Sequence, residues 1–320
     1  MGTVAPEKIL RELADLWLSL GKRGQDDAAA GVLRACSMTL VVVTEAGDES
    51  GTLGETIAAL MPEHPARTII IRLTGAGQRT LGERVYQQCW MPFGQRRQIC
   101  CEQIEITASD DAVADLPPVV LPLVVADLPV IVWCRSPRFI DHLEVAHKVI
   151  VDSAAFPLDR LAGPREYILG DLAWTRLTRW RKMLAQIFQN RENLAALDRV
   201  STVTIQHPGD SPTSSAYYLG AWIKDCLPQV EVKFVPGTWT GKAEAPLVIG
   251  VLLEGEGISA ELARWEDRMV TTFNGLAQCV NLPLVTEYSL MREELGIVRQ
   301  DPVFEKTLAS ALRLAYPKDK

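Results

Sequence analysis

The sequence predicts an α/β protein of two domains, each a mainly parallel or mixed sheet flanked by helices. Three observations carry this. A chain of 320 residues is long enough to bury two cores. Short apolar runs bounded by turn residues alternate with segments of helical period along its length. Several of those runs are apolar throughout, as strands buried on both faces of a parallel sheet must be.

In order, Glu7 to Leu20 sets Ile9, Leu10, Leu13, Leu16, Trp17 and Leu20 on one helical stripe, with Gly21 placed to end it. Met38 to Val43 reads as a buried strand, Leu53 to Leu60 as a helix and Thr68 to Leu73 as a strand. Gln98 to Thr107, Val130 to Trp133 and Lys148 to Val151 are further strands. LPPVVLPLVVADLPVIVW, from Leu116 to Trp133, is apolar enough to suggest a membrane span, but four prolines and Asp127 interrupt it. It reads as a short kinked helix followed by a core strand opened by Pro129.

The domain boundary falls between Val151 and Gly170, dividing the chain into 1–160 and 161–320. The second domain opens on a long helix, LAWTRLTRWRKMLAQIF, in which Trp174, Leu177, Leu184 and Phe188 share a face. Thr202 to Ile205, Val230 to Val235, Leu247 to Leu253 and Met269 to Phe273 are strands. Asp210-Ser211-Pro212 caps and starts a helix over Ser214 to Cys226. Glu287 to Leu295 and Pro302 to Leu314 are closing helices.

A net charge of −7 argues against a surface built to coat nucleic acid or an anionic membrane. MGTVAPEKIL has no basic stretch followed by an apolar one, so a cytoplasmic location is expected. Seven scattered cysteines without a C-x-x-C spacing are expected to be reduced and mostly buried.

Chemistry-bearing motifs are few. IIIRLTGAGQRTLGERV, from Ile69 to Val85, breaks after a strand into Gly75-Ala76-Gly77 and a prospective helix, the arrangement that aims backbone N–H groups at a pyrophosphate. A dinucleotide fingerprint needs a third glycine where Thr80 stands, and the next glycine is Gly82. A flexible connection is the better reading, and no cofactor is expected. His142 and His147 are five apart and do not stack on a helix face as metal ligands would, and no nucleophile elbow, P-loop or H-E-x-x-H is present. Neither a metal nor catalysis is expected.

What stands out is an arginine group beside tryptophans. Arg176, Arg179 and Trp180 occupy adjacent positions of one helix face, with Arg181 and Lys182 beside them. Arg and Trp are favoured interface anchors, so Arg176, Arg179, Trp180 and Arg181 are the candidate partner-binding residues. A solvated cationic helix with its tryptophans in the core accounts for the pattern equally well.

At these residues the chain resembles a known family. RACSMTLVVV (34–43), HPART (64–68), CCEQIEI (100–106), DLPVIVWCR (127–135), DLAWTRLTRWRKMLAQIF (171–188) and DPVFEKTL (301–308) are similar, in the same order, to segments of the glucose-6-phosphate dehydrogenase assembly protein OpcA family. The ordered set, and DLAWTRL-x-x-WR above all, carries the resemblance. The chain departs from that pattern at Cys134, where the family has a large residue, and at Cys101, where it has serine, which weakens any common thiol switch. The resemblance implies a non-catalytic protein that binds glucose-6-phosphate dehydrogenase and promotes its assembly or activation. The competing class is a small-molecule enzyme or sugar-phosphate binder using strand ends of one α/β domain.

Overall fold

The computed structural model describes residues 4–25, 32–48, 51–90, 98–142, 145–241 and 246–317. The chain divides into two compact units, Met1–Val151 with Arg165–Gly170, and Asp152–Pro164 with Asp171–Lys320.

The first unit is built on continuous apolar strands. α1 (Pro6–Gln25) and β1 (Val32–Arg34) precede β2 (Met38–Glu45), which is buried along nearly its whole length. α2 (Gly51–Leu60) buries Leu53, Ile57 and Leu60 at helical spacing and leads to β3 (Ala66–Leu73). β4 (Leu81–Trp90) and β5 (Gln98–Ala108) follow. The proline-rich segment forms α3 (Leu116–Val120) and a 3₁₀ turn, and then β6 (Val130–Cys134), all of whose residues are buried. β7 (Lys148–Val151) and β8 (Ile168–Asp171) complete the sheet.

Strand order is β1-β5-β3-β2-β6-β7-β8, with β4 antiparallel to β5. From β5 to β8 this is the doubly wound order 3-2-1-4-5-6, which reverses between β2 and β6. Each isoleucine sunk in β3, such as Ile69 or Ile71, contributes about 1.5–3 kcal/mol by leaving water. One carboxylate is buried here. Glu102 accepts from Arg67 Nε, Arg34 Nη2 and the Trp17 indole, which ties α1, β1 and β3 to β5.

Four expectations change in this unit. α1 runs through Gly21 to Gln25, because one glycine costs only about 1 kcal/mol in a helix. Gly75 takes the left-handed conformation, φ 82°, but the chain then enters β4 rather than a helix. β1, β4 and β8 have no counterpart among the expected elements, being short or polar. Cys89 and Cys100 stand opposite one another in the β4–β5 register and are joined as a disulfide, Cα atoms 4.1 Å apart, rather than reduced. Register, not spacing along the chain, brings them together.

The second unit opens with α4 (Leu172–Thr175) and α5 (Thr178–Ile187), then α6 (Arg191–Ala196), β9 (Val200–His207), α7 (Ser214–Cys226) and β10 (Glu231–Pro236). A meander follows of β11 (Gly250–Gly255), β12 (Ile258–Trp265), β13 (Arg268–Phe273) and β14 (Leu276–Asn281). α8 (Glu287–Leu295) and α9 (Pro302–Ala315) close it. The sheet order is β10-β9-β11-β12-β13-β14, parallel between β9 and β10 and antiparallel thereafter.

The single long helix expected from Leu172 is broken at Arg176-Leu177. Thr175 turns its hydroxyl back onto the Asp171 carbonyl four residues earlier, and Leu177 sits at φ −84°, ψ −4°, so the axis restarts. α7 is capped by Thr213, whose hydroxyl accepts from Ala216 N, and not by the 210–212 stretch.

Candidate functional site

The site begins with the residue that starts α4. Asp171 is fully buried and accepts hydrogen bonds from the backbone of Ser153 (3.0 Å) and Ala173 (2.9 Å) and from the Tyr218 hydroxyl (2.7 Å). Burial pushes its carboxyl up from 3.8 to about 6 against the pull of those donors. Trp174 follows in the core, its ring 6.0 Å from that of Tyr218 and 5.9 Å from that of Phe304. This anchor fixes the direction in which the arginines of α5 leave the helix.

The four candidate residues part company. Arg176 makes a bidentate pair with Asp152, 2.6 and 2.7 Å, inside its own unit. Trp180 is buried, 6% exposed. Arg181 lies over the Trp174 ring, its Cζ 3.6 Å from the centroid, and donates to Thr178. Burial lowers its pKa while Asp301, Glu293 and Glu294 oppose the shift. Arg179 alone of the four is exposed, and it has no side-chain partner among the described residues.

Arg179 opens onto a cleft of about 60 Å³ that no local spacing could have disclosed. Its walls come from five stretches: Arg176 to Trp180, Ser215 on α7, Pro246 to Val248, Arg264 on β12, and Leu282 with Val285 after β14. Arg264 rests 5.8 Å above the Trp239 ring and donates to the Glu266 carbonyl, and burial lowers its pKa. The described lining holds three guanidinium groups and no carboxylate. Asp152 offsets Arg176, which leaves Arg179 and Arg264 without an acidic partner among the described residues, in a chain of net charge −7. The rest of the lining is largely apolar, with Pro246, Leu247, Val248, Leu282 and Val285. Such a surface can take up a carboxylate flanked by an apolar group.

The strand ends of the first unit are different. At the reversal between β2 and β6, Glu45 is held by Ser136 and Arg138, and Asp48 by Arg135 and the Thr44 hydroxyl. Arg138 also pairs with Asp110. Among the described residues no group of three or more histidine, cysteine, aspartate or glutamate side chains could hold a metal ion, and no helix is long and apolar enough to cross a membrane.

Two family models match. Residues 57–164 match the N-terminal domain of the glucose-6-phosphate dehydrogenase subunit, and residues 167–308 match the C-terminal domain of the same protein. A Synechocystis sp. protein that carries the name OxPP cycle protein OpcA is 27% identical over 210 residues, 60% of this chain and 43% of that one. The same-named protein of Nostoc punctiforme is 28% identical over 142 residues, 40% of this chain and 30% of its own length. The matches thus span less than half of these relatives. UDP-N-acetylglucosamine 3-dehydrogenase GnnA from Acidithiobacillus ferrooxidans is similar at 10% identity, with a TM-score of 0.46 over 88% of this chain and 98% of that one. A likeness at that level carries no functional argument.

Proposed function

The chain belongs to the OpcA family of glucose-6-phosphate dehydrogenase subunits, and from that premise we propose that it binds glucose-6-phosphate dehydrogenase as a non-catalytic partner and favours the enzyme's active assembly. A partner acts this way by binding one oligomeric or conformational state more tightly than the other, which shifts the population by mass action. The observation that supports a docking role is the acid-free cleft, with Arg179 exposed and Arg264 half-buried. A carboxylate on the enzyme, beside an apolar side chain seated against Leu282 and Val285, is the complementary group.

The set of candidate residues narrows accordingly: Arg179 makes the contact, Arg176 shapes the cleft through Asp152, and Trp180 and Arg181 hold α5 in place. The test measures affinity for the same organism's dehydrogenase by biolayer interferometry, together with enzyme activity in the presence and absence of this protein. Arg179→Glu is expected to weaken association by about tenfold or more, ~1.4 kcal/mol, with the melting temperature almost unchanged. Unaltered affinity in the folded variant overturns the surface, and absence of any association with the dehydrogenase overturns the function.

A further inference from the structure

Toward the C-terminal end of α5 lies a larger groove, about 610 Å³, between α5–α6 and the β13–β14 hairpin. That size suits a small-molecule site, for which several hundred Å³ is usual. Its floor is the face of β13 and β14 where Thr271 opposes Gln278 and Phe273 opposes Leu276 in the register.

Three features say what it can hold. First, its polar lining is dominated by side-chain amides. Gln186 and Gln278 have no side-chain partner among the described residues. Asn193 donates to the Ile187 carbonyl and keeps its amide oxygen, and Asn274 accepts from Ser259 N and keeps its amide nitrogen. Donors and acceptors are therefore both on offer. Second, the lining carries one carboxylate, Glu192, and one guanidinium, Arg199, neither of them paired within the described residues, so no net charge selects an ion. Third, the Thr271 hydroxyl is buried and has no hydrogen-bond partner among the described residues, although Thr271 is only 8% exposed and lines the groove. A buried unpaired hydroxyl is destabilising, and a ligand group reaching it would remove that cost.

We propose that this groove binds a neutral polyhydroxylated small molecule, a sugar or polyol, with its hydroxyls on Gln186, Gln278, Asn193 and Asn274 and its C–H face toward Phe273. A hydroxyl both donates and accepts, which is what unpaired amides require, whereas a phosphate would find a single cation opposed by Glu192. The site stands apart from the Arg179 cleft, and its test needs no dehydrogenase.

Saturation-transfer NMR on the full chain, with glucose, maltose and glycerol as probes, is expected to show transfer to at least one of them. Gln186→Leu with Gln278→Leu should weaken that binding by about tenfold, the loss of one to two hydrogen bonds. Thr271→Val should also weaken it while raising the melting temperature of the free protein, because it deletes the unpaired hydroxyl at nearly constant shape. No transfer to any of the three probes, or transfer undiminished in the folded double variant, overturns the proposal.

Discussion

Asp171 is a buried carboxyl whose hydrogen-bond partners are neutral, so its charge is stabilised by N–H and O–H dipoles alone. Its value is raised from 3.8 to about 6, so the folded protein keeps a proton that the unfolded chain releases between those limits. The stabilising contribution is full below about pH 4 and is lost as pH rises through about 6, a change of roughly 2–3 kcal/mol. Asp171→Asn keeps an acceptor for both backbone N–H groups and offers Tyr218 a donor. Urea denaturation at several pH values should find the variant gaining on the parent protein between pH 4 and 7; a difference that stays flat would contradict the assignment. Along the same helix pair the arginines and tryptophans separate by burial. Trp174→Ala should cost about 3–5 kcal/mol, since it empties the space between Tyr218, Phe304 and Arg181. Chemical denaturation giving under 1 kcal/mol would show that the ring is not the anchor described.

At the scale of elements, α7 shows packing overriding propensity. Alanine at Gly220 would improve an isolated helix by about 1 kcal/mol. Here its Cβ would stand 2.9 Å from Val232 Cγ1 and 3.0 Å from Phe234 Cζ on β10, so those side chains or the helix must shift. Overpacking of this kind costs about 1–3 kcal/mol, and Gly220→Ala should therefore lower the stability by thermal melting. A rise would mean that α7 sits further from the sheet. What was legible in the sequence follows the same physics. β2, β3 and β6 are apolar on both faces, and α2, α8 and α9 carry a clear stripe, so composition alone located them. β14 has every residue exposed and no pattern to read. The signal that would have found it is the Asn274-Gly275 turn, both residues at positive φ, joining two strands through a two-residue loop. Trp180 and Arg181 look available on a helical wheel, yet a wheel does not show which face the core covers. Arg264 lies too far along the chain from Arg179 for any spacing rule to join them.

For the molecule as a whole, the first unit has the strand order of dinucleotide-binding proteins, and its strand ends bear on whether a nucleotide fits there. In such proteins the pyrophosphate lies at the reversal point, on backbone N–H groups opening the helix after the first strand. Here the equivalent strand is β2, and it ends in Glu45 and, three residues later, Asp48. Arg138 and Arg135, which follow the strand across the reversal, are the cations a phosphate would call on. Both already serve carboxylates, Arg138 pairing with Glu45 and Asp110 and Arg135 with Asp48. Among the described residues both arginines at these strand ends are thus already engaged by acids. An entering pyrophosphate would have to break these pairs and then face the released carboxylates, and like charges a few ångströms apart in a partly desolvated crevice repel by several kcal/mol. The protein alone is therefore expected to show no micromolar binding of NADP in a calorimetric titration. A dissociation constant in the micromolar range or below would overturn this. Glu45→Gln with Asp48→Asn would then locate the cause, because a nucleotide at this crevice should bind the double variant more tightly, whereas one bound elsewhere should not notice the change.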